Sequence, residues 1–349
     1  MVDTFILDKS LKKISTGAHL DLQESRELFQ NMLSLSDEEG MEVKYKIAAI
    51  LSALTLKGVH ENELNGLLDV MLEKSLPITK PKYHLLDIVG TGGDGKGTFN
   101  ISTTVAIILA SAGVKVAKHG NRAASSKCGS ADVLQALGIN INTSPERCVK
   151  MLDETNFCFL LAPNYHPSLK NIMPIRRALP VKTIFNFAGP IANPLTPEYV
   201  FLGTSDKNLM GIYTKILLNR NVKRALVFSG DDGMDEITLS TTTSAVLIDN
   251  GTVQEFKINP VEHGFKIASE DEVKGDDATY NAQIIERLFK GELEGPMKDI
   301  VLLNAGYALF VSEKVENPDE GIQMARDILD SKKAYEKLNQ LREFQLRGE

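Results

Sequence analysis

From the amino terminus to about residue 75, apolar positions recur every three or four residues, as in Leu28, Phe29, Met32 and Leu33 and then Ile47, Ala48, Ile50, Leu51 and Leu54. That period gives each of several helices one apolar stripe and predicts a small all-helical N-terminal domain over residues 1–75. The stretch "LPITKPKYH", residues 76–84, interrupts the period with two prolines and reads as a linker. Beyond it, short β-like runs alternate with longer helical ones. "HLLDIV", "VKVA", "FCFLLA", "KTIFNF" and "RALVFS" each precede a turn or helix signal. This is the pattern of a larger α/β domain with a mainly parallel central sheet, placed over residues 76–349. Residues 244–258 instead read as a hairpin turning at Asn250-Gly251. From Asp277 onward the pattern is helical.

Composition narrows the class. The chain has 349 residues, 43% hydrophobic and 24% charged, as an ordinary globular protein large enough for two domains does. Its first residues lack the basic start, apolar stretch and small-residue cleavage site of a secretory signal. The longest uncharged apolar run, around residues 105–114, is far shorter than the roughly 20 residues that cross a bilayer. A cytoplasmic protein without membrane contact is expected. The net charge of −7 argues against nucleic acid as a partner, so any bound anion must be held locally. Cys128, Cys148 and Cys158 are odd in number and form no C-x-x-C pair, which points to buried thiols rather than a disulfide framework or zinc site.

The candidate chemistry starts at "IVGTGGDGKGTFN", residues 88–100, which holds five glycines. Residues 85–89 read as a strand and residues 101–112 as a helix, so the loop between them would aim backbone amides at an anion. Two nucleotide-binding patterns overlap here, and both fail. Gly97 follows Lys96 where a triphosphate loop needs Ser or Thr for magnesium. No acid occurs from Gly95 to Ala131, although a dinucleotide fold needs one about 20 residues on for the ribose. Within that segment stand five cations, Lys96, Lys115, Lys118, Arg122 and Lys127. They suit a compact polyanion better than a dinucleotide, the alternative being a basic solvated face.

"GTGGD", "NIST", "KHGNRAASSKCGSADVLQALG", "HPSLKNIMPIRR", "TIFNFAGPIANP", "GDDGMDEI", "GDDATYNA" and "VLLNAGYAL" follow one another in an order and spacing that closely resemble the anthranilate phosphoribosyltransferase family of tryptophan biosynthesis. The likeness covers nearly the whole chain. It implies a small helical domain, joined in space by helices near residues 165–185, on a larger α/β domain, and a homodimer. It also implies transfer of the phosphoribosyl group of 5-phosphoribosyl 1-diphosphate to the amine of anthranilate, with release of diphosphate.

The resemblance assigns phosphoribosyl diphosphate to Gly90, Gly93, Asp94 and Thr98 of the glycine loop and to Asn100, Ile101, Ser102 and Thr103 at the helix start. It adds Lys118, His119, Gly120, Asn121, Arg122, Ala123, Ala124, Ser125, Ser126 and Ser130 around the next loop. Asp94 would repel phosphate, so it is expected to face a ribose hydroxyl, the amine or a metal-bound water. "SGDDGMDEI" places four carboxylates within six residues. A surface turn is the plain reading, and a calcium loop is excluded because its sixth position holds Glu236 instead of glycine. Mg2+, which takes one or two carboxylates plus phosphate and water, fits better. By resemblance Asp235, Glu236 and Ser102 hold it.

For anthranilate the resemblance gives Arg176, whose guanidinium fork suits a planar carboxylate, together with Gly90 and Asn121. His119 and His166 are candidates for lining the acceptor's approach, against the alternative of packed structural residues. No residue stands out as a catalytic base, and Lys118 is expected to stabilise the leaving group. Leu161, Pro180 and Lys182 depart from the family's common aromatic, glycine and arginine. Two other readings share parts of this pattern. A pyrimidine nucleoside phosphorylase should lack the acid pair and the "KHGNR" run, and a non-catalytic nucleic-acid-binding relative should carry an extended basic surface.

Overall fold

Caps written into the sequence delimit the first helices. Asp3 accepts the Phe5 N–H and opens the helix Thr4–Ser15. Asp21 and Glu24 exchange hydrogen bonds in a capping box at the start of Leu22–Met32, and His60 with Glu63 does the same for Glu61–Glu73. Reciprocal caps of this kind satisfy the orphan amides of a helix start. Between them, Met41–Lys57 ends at Gly58, which takes φ +87°. Of the positions that carried the apolar period, Leu28, Phe29, Met32, Ile47, Ile50, Leu51 and Leu54 are fully buried, Leu33 is nearly so and Ala48 is half-buried.

The computed structural model describes residues 2–123 and 127–347. Its chain divides into two compact units, Met1–Pro77 with Ala162–Pro194, and Ile78–Leu161 with Leu195–Glu349. The later segment of the first unit contributes the short helices Ala162–Tyr165, Met173–Ala178 and Ile184–Ala188. Its backbone and side chains bond directly to the first four helices and their ends: Asn171 Nδ2 donates to Leu35 O at 2.7 Å, and Leu76 N to Tyr165 O at 2.8 Å. His166 is buried, its ring nitrogens 3.3 Å from Met71 O and 2.9 Å from Ala192 O.

The run "KTIFNF", expected as a strand, is helical instead. Asn186 Oδ1 accepts from Thr183 N at 2.9 Å and from Thr183 Oγ1 at 3.3 Å, which starts the helix Ile184–Ala188. A short apolar run carries no period long enough to separate strand from helix, and here local capping decides.

The second unit is built on seven strands, β1 (Leu86–Gly90), β2 (Val116–Gly120), β3 (Phe157–Leu161), β4 (Tyr199–Gly203), β5 (Arg224–Gly230), β6 (Thr243–Asp249) and β7 (Thr252–Ile258). They lie in the order β3-β2-β1-β4-β5-β6-β7. β1 to β5 are parallel, and β6 and β7 add an antiparallel hairpin. The second unit is therefore α/β with a mainly parallel sheet, and the first unit is helical. β4, "YVFLG", was not singled out in the sequence. The hairpin turns at Asn250 and Gly251, which have φ +48° and +83°, the two positive values a tight primed turn needs. The helices Ile101–Ser111 and Pro296–Val311 are buried along nearly their whole lengths and form the centre of this unit's core.

Strand order places the chemistry. The chain runs from β1 outward to β2 and β3, then returns to the other side of β1 with β4. The carboxyl ends of β1 and β4 thus flank the point where the order reverses, where open α/β sheets bind their ligands.

Burial holds the His166 pKa below its ordinary 6.5, against the two carbonyls that favour the charged ring. Because the folded value is depressed, the stability this group contributes is complete above 6.5 and is lost as pH falls through the folded value, where the unfolded ring alone takes up a proton first. Thermal melts followed by circular dichroism should show Tm falling on acidification from pH 8 to 5. His166→Gln should make that decline shallower; an unchanged slope would assign it to other groups.

Candidate functional site

β1 and β4 end on glycines that face each other in register, Gly90 opposite Gly203. A Cβ at Gly90 would collide with the Asp235 carboxylate, and one at Gly203 with the Asp235 carbonyl. Two absent side chains thus make a slot, and Asp235 from the turn after β5 occupies it. The carboxylate is fixed by the Gly92 N–H, which donates to Asp235 Oδ2 at 2.6 Å. Glu236 is buried beside it and accepts the Ser102 N–H at 3.1 Å, at the start of the helix Ile101–Ser111.

The turn is held from behind by one amide. Asn304 Oδ1 accepts from Ile237 N at 2.9 Å while its Nδ2 donates to Ile237 O and Ile300 O, each at 2.8 Å. The other two acids of the run play no part in this. Asp231 pairs with Lys207 and Lys257 and accepts from Thr242 and Ser244; Asp232 accepts from Thr238, Ser240 and the Met234 amide.

Lys118, at the centre of β2, is fully buried. Its ammonium donates to Ile88 O at 2.5 Å and to Ser102 Oγ at 3.3 Å. Burial lowers its pKa, while the charges of Asp87, Glu236 and Asp235 act in the opposite sense. Burial also raises the pKa of both site acids. For Asp235 the Asp94 charge adds to that, and for Glu236 the Asp235 charge does. One cation and several carboxyl groups therefore share a water-poor pocket, with Lys118 compensating part of the negative charge.

The loop between β1 and the helix carries Gly92, Gly93, Gly95 and Gly97 at φ between +65° and +74°, a conformation that a side chain would strain. Asp94 Oδ1 accepts the Lys96 N–H at 3.1 Å, while its Oδ2 is buried without a hydrogen-bond partner among the described residues, and its charge adds to burial in raising the Asp235 pKa. Thr98 forms a bridge with Lys274. Asn100 precedes the helix without a side-chain cap bond, Ile101 is buried, and the buried Thr103 Oγ1 has no hydrogen-bond partner among the described residues.

Near the end of β2, the His119 N–H donates to Asp87 Oδ1 at 3.1 Å. Gly120 lies so close to Ser130 Oγ and the Phe159 ring that a Cβ would meet both. Asn121 O accepts from Ser130 Oγ at 3.3 Å, and Asn121 Oδ1 from Arg122 N at 2.8 Å. Asp132 gathers the loop by accepting from Ala123 N, Gly129 N and the Arg122 guanidinium. Ala124, Ser125 and Ser126 lie outside the described residues.

The five cations do not converge as their spacing suggested. Lys96 pairs with Glu270, Arg122 with Asp132 and Lys127 with Asp276. Lys115 donates to the Leu152 and Asp153 carbonyls and sits over the Tyr83 ring. Only Lys118 meets the acid pair. The acids that take the others come mostly from distant parts of the chain, which a local charge count does not see.

In the first unit, Arg176 lies on Met173–Ala178 with its guanidinium 5.1 Å from the centroid of the Phe185 ring. Nη1 is 3.3 Å from Met173 Sδ and Nη2 3.5 Å from Asn186 Oδ1; among the described residues Nε is buried without a hydrogen bond, and no carboxylate pairs with the group. Burial lowers its pKa to about 10. A guanidinium enclosed this way is short of an anion. His166, in contrast, faces two carbonyls inside the unit.

Among the described residues no three His, Cys, Asp or Glu side chains converge as a metal cage. The site offers two carboxylates and the Ser102 hydroxyl, hard oxygen donors that suit a cation sharing its shell with phosphate and water. Asp87, Asn304 and Asn281 were not picked out beforehand. Asn304 had a signal: it is the single amide in the apolar run "IVLLNAGYALFV".

Comparison with known proteins identifies the family. Residues 82–335 match the α/β domain of a glycosyl transferase family, and residues 9–75 its helical bundle domain. An anthranilate phosphoribosyltransferase of Persephonella marina is 39% identical over 98% of this chain and all of its own. The crystal structure of the Thermus thermophilus enzyme superposes with a TM-score of 0.87 at 36% identity, covering 96% of this chain and 98% of that one. The Saccharomyces cerevisiae enzyme in complex with phosphoribosyl diphosphate and Mg gives 0.88 at 26% identity, covering 97% of both chains. With both domains matched in sequence and fold, the chain belongs to the anthranilate phosphoribosyltransferase family of glycosyl transferases.

Proposed function

We propose that this chain transfers the phosphoribosyl group of 5-phosphoribosyl 1-diphosphate to the amine of anthranilate, a step of tryptophan biosynthesis. The observation that carries the reading is Arg176, a half-buried guanidinium with an aromatic ring against it and no carboxylate partner among the described residues. A small aromatic acid supplies both missing partners, its carboxylate to the fork and its ring to Phe185.

The phosphorylated ribose belongs to the glycine loop, the start of Ile101–Ser111 and the loop after β2, where backbone amides and hydroxyls are the donors. Asp235, Glu236 and Ser102 are the residues that would hold Mg2+, and burial raises both acids' pKa, which a dication's charge would reverse. When bound, Mg2+ neutralises diphosphate charge. An aryl amine is unprotonated at neutral pH, so it attacks C1 without prior deprotonation. The C1–O bond to diphosphate breaks as the C1–N bond forms, and the surplus amine proton leaves to water. Lys118 places a fixed charge in the pocket beside the acids, so catalysis rests on alignment and on stabilising the departing diphosphate.

A homodimer and a cytoplasmic location belong to the same reading. Phe5, Met41 and Tyr45 are exposed on two helices of the first unit that pack together, and a second copy would cover them. No described helix is long and apolar enough to cross a membrane.

The direct test is loss of anthranilate fluorescence with phosphoribosyl diphosphate and Mg2+; no loss would overturn the proposal. Replacing both Asp235 and Glu236 by Ala should raise the Mg2+ requirement about tenfold or more. Full activity of that double variant in limiting Mg2+ would remove the metal assignment. Arg176→Ala should weaken anthranilate by about 1.5 to 3 kcal/mol and leave phosphoribosyl diphosphate nearly unaffected. Lys118→Met should do the reverse and slow the chemical step. Titrating each substrate against each variant separates the two roles, and equal losses of one substrate in both would refute them.

A further inference from the structure

Asn100 stands where an Asn side chain ordinarily bonds back to the first helical amides. Here it does not. Its Oδ1 accepts from Asn281 Nδ2 at 3.0 Å and from Cys128 Sγ at 3.2 Å, and its Nδ2 faces Cys128 O at 3.3 Å. The side chain is thereby turned away from the helix start. Cys128 belongs to the loop after β2, so this one amide joins both loops. Asn281, on the helix Ala278–Phe289, is buried and directs the arrangement. It is itself held because its Oδ1 accepts from Asp276 N at 2.8 Å.

The segment leading into that helix grips the same two loops independently. Val273 O accepts from Phe99 N at 3.2 Å, and Gly275 N donates to Gly97 O at 2.9 Å. A Cβ at Gly275 would press on Asn281 Oδ1 and the Phe99 backbone. On the other loop, Lys127 pairs with Asp276 at 2.6 Å.

We propose that Asn281 is a positioning residue that ties the two loops into one cradle and, by occupying the Asn100 side chain, keeps the Thr103 amide of the helix start, next to the Ser102 amide that Glu236 takes, available to a phosphate of the ribosyl substrate. The proposal rests on the reading that these loops hold phosphoribosyl diphosphate. Without Asn281, Asn100 is released to cap its own helix and competes with the anion. Asn281→Asp keeps the acceptor for Asp276 N and nearly the same volume but loses the donor to Asn100; Asn281→Ala loses both.

Calorimetric titration of phosphoribosyl diphosphate with Mg2+ should show Kd raised about tenfold or more in both variants. KM for anthranilate at saturating co-substrate should stay within twofold of wild type. Lower Tm with unchanged Kd, or equal weakening of both substrates, would reduce Asn281 to a helix anchor and overturn the proposal. Hydrogen exchange on the wild type does not depend on the variants folding. Phosphoribosyl diphosphate with Mg2+ should slow exchange at residues 276–281 together with 97–100, and protection confined to the loops would overturn the coupling. Wild-type turnover separates the two readings: an inactive wild type that binds no phosphoribosyl diphosphate removes both, whereas an active one matched by its variants removes only the role of Asn281.

Discussion

Asp235 can lie over the sheet only because two neighbouring strands both end without a side chain. Gly90 and Gly203 are register partners, and a methyl group on either would strike Asp235. Much of the site follows from that steric permission. The acid reaches the Gly92 amide, Glu236 is carried to the Ser102 amide, and the turn closes against Asn304. Burying the acids is costly, and the cost is limited by placing Lys118 and backbone donors among them instead of leaving the charge bare. A slot of missing atoms, a compensating ammonium and an amide latch are thus parts of one solution.

The acid run after β5 shows how little of this a local reading resolves. Asp231 and Asp232 are chemically the same as Asp235 and lie a few residues away, yet they are consumed by lysines and hydroxyls. Partners separate them: Asp231 reaches Ser244 and Lys257 of the β6–β7 hairpin, Asp232 closes on Thr238 and Ser240 of its own loop, and Asp235 and Glu236 meet the amides of Gly92 and Ser102.

Periodicity made the helical unit legible because one stripe of Leu, Ile and Phe repeats over many turns, and it exposed β1, β2, β3 and β5 because each is a short apolar run between turn signals. It failed at residues 182–187, where the run is too short to carry a period and Asn186 caps a helix. It passed over β4, which carries no stronger signal than its neighbours. The glycine loop was legible because positive φ demands glycine. Clustered cations misled, since Glu270 and Asp276 neutralise two of them from far along the chain. Asn281 was invisible as a functional group, and Asn304 showed only as a lone amide in an apolar run, because a buried amide has no assignable role until its partners are known.

The first unit is interrupted in sequence, and this constrains how the chain can fold as it emerges from a ribosome. Its opening helices are complete by Glu73, but the groups that bond Leu35, Met71 and Leu76 lie between Tyr165 and Asn171. Strands β1, β2 and β3 are synthesised in the interval. A nascent chain must therefore carry an unfinished helical unit while the first half of the sheet appears, and closing that long loop costs entropy before the contacts reward it. Residues at the seam, with bare carbonyls and an uncovered apolar face, are exposed throughout that delay. The order of synthesis thus makes the helical unit the first begun and, until about residue 194 is free, not yet finished.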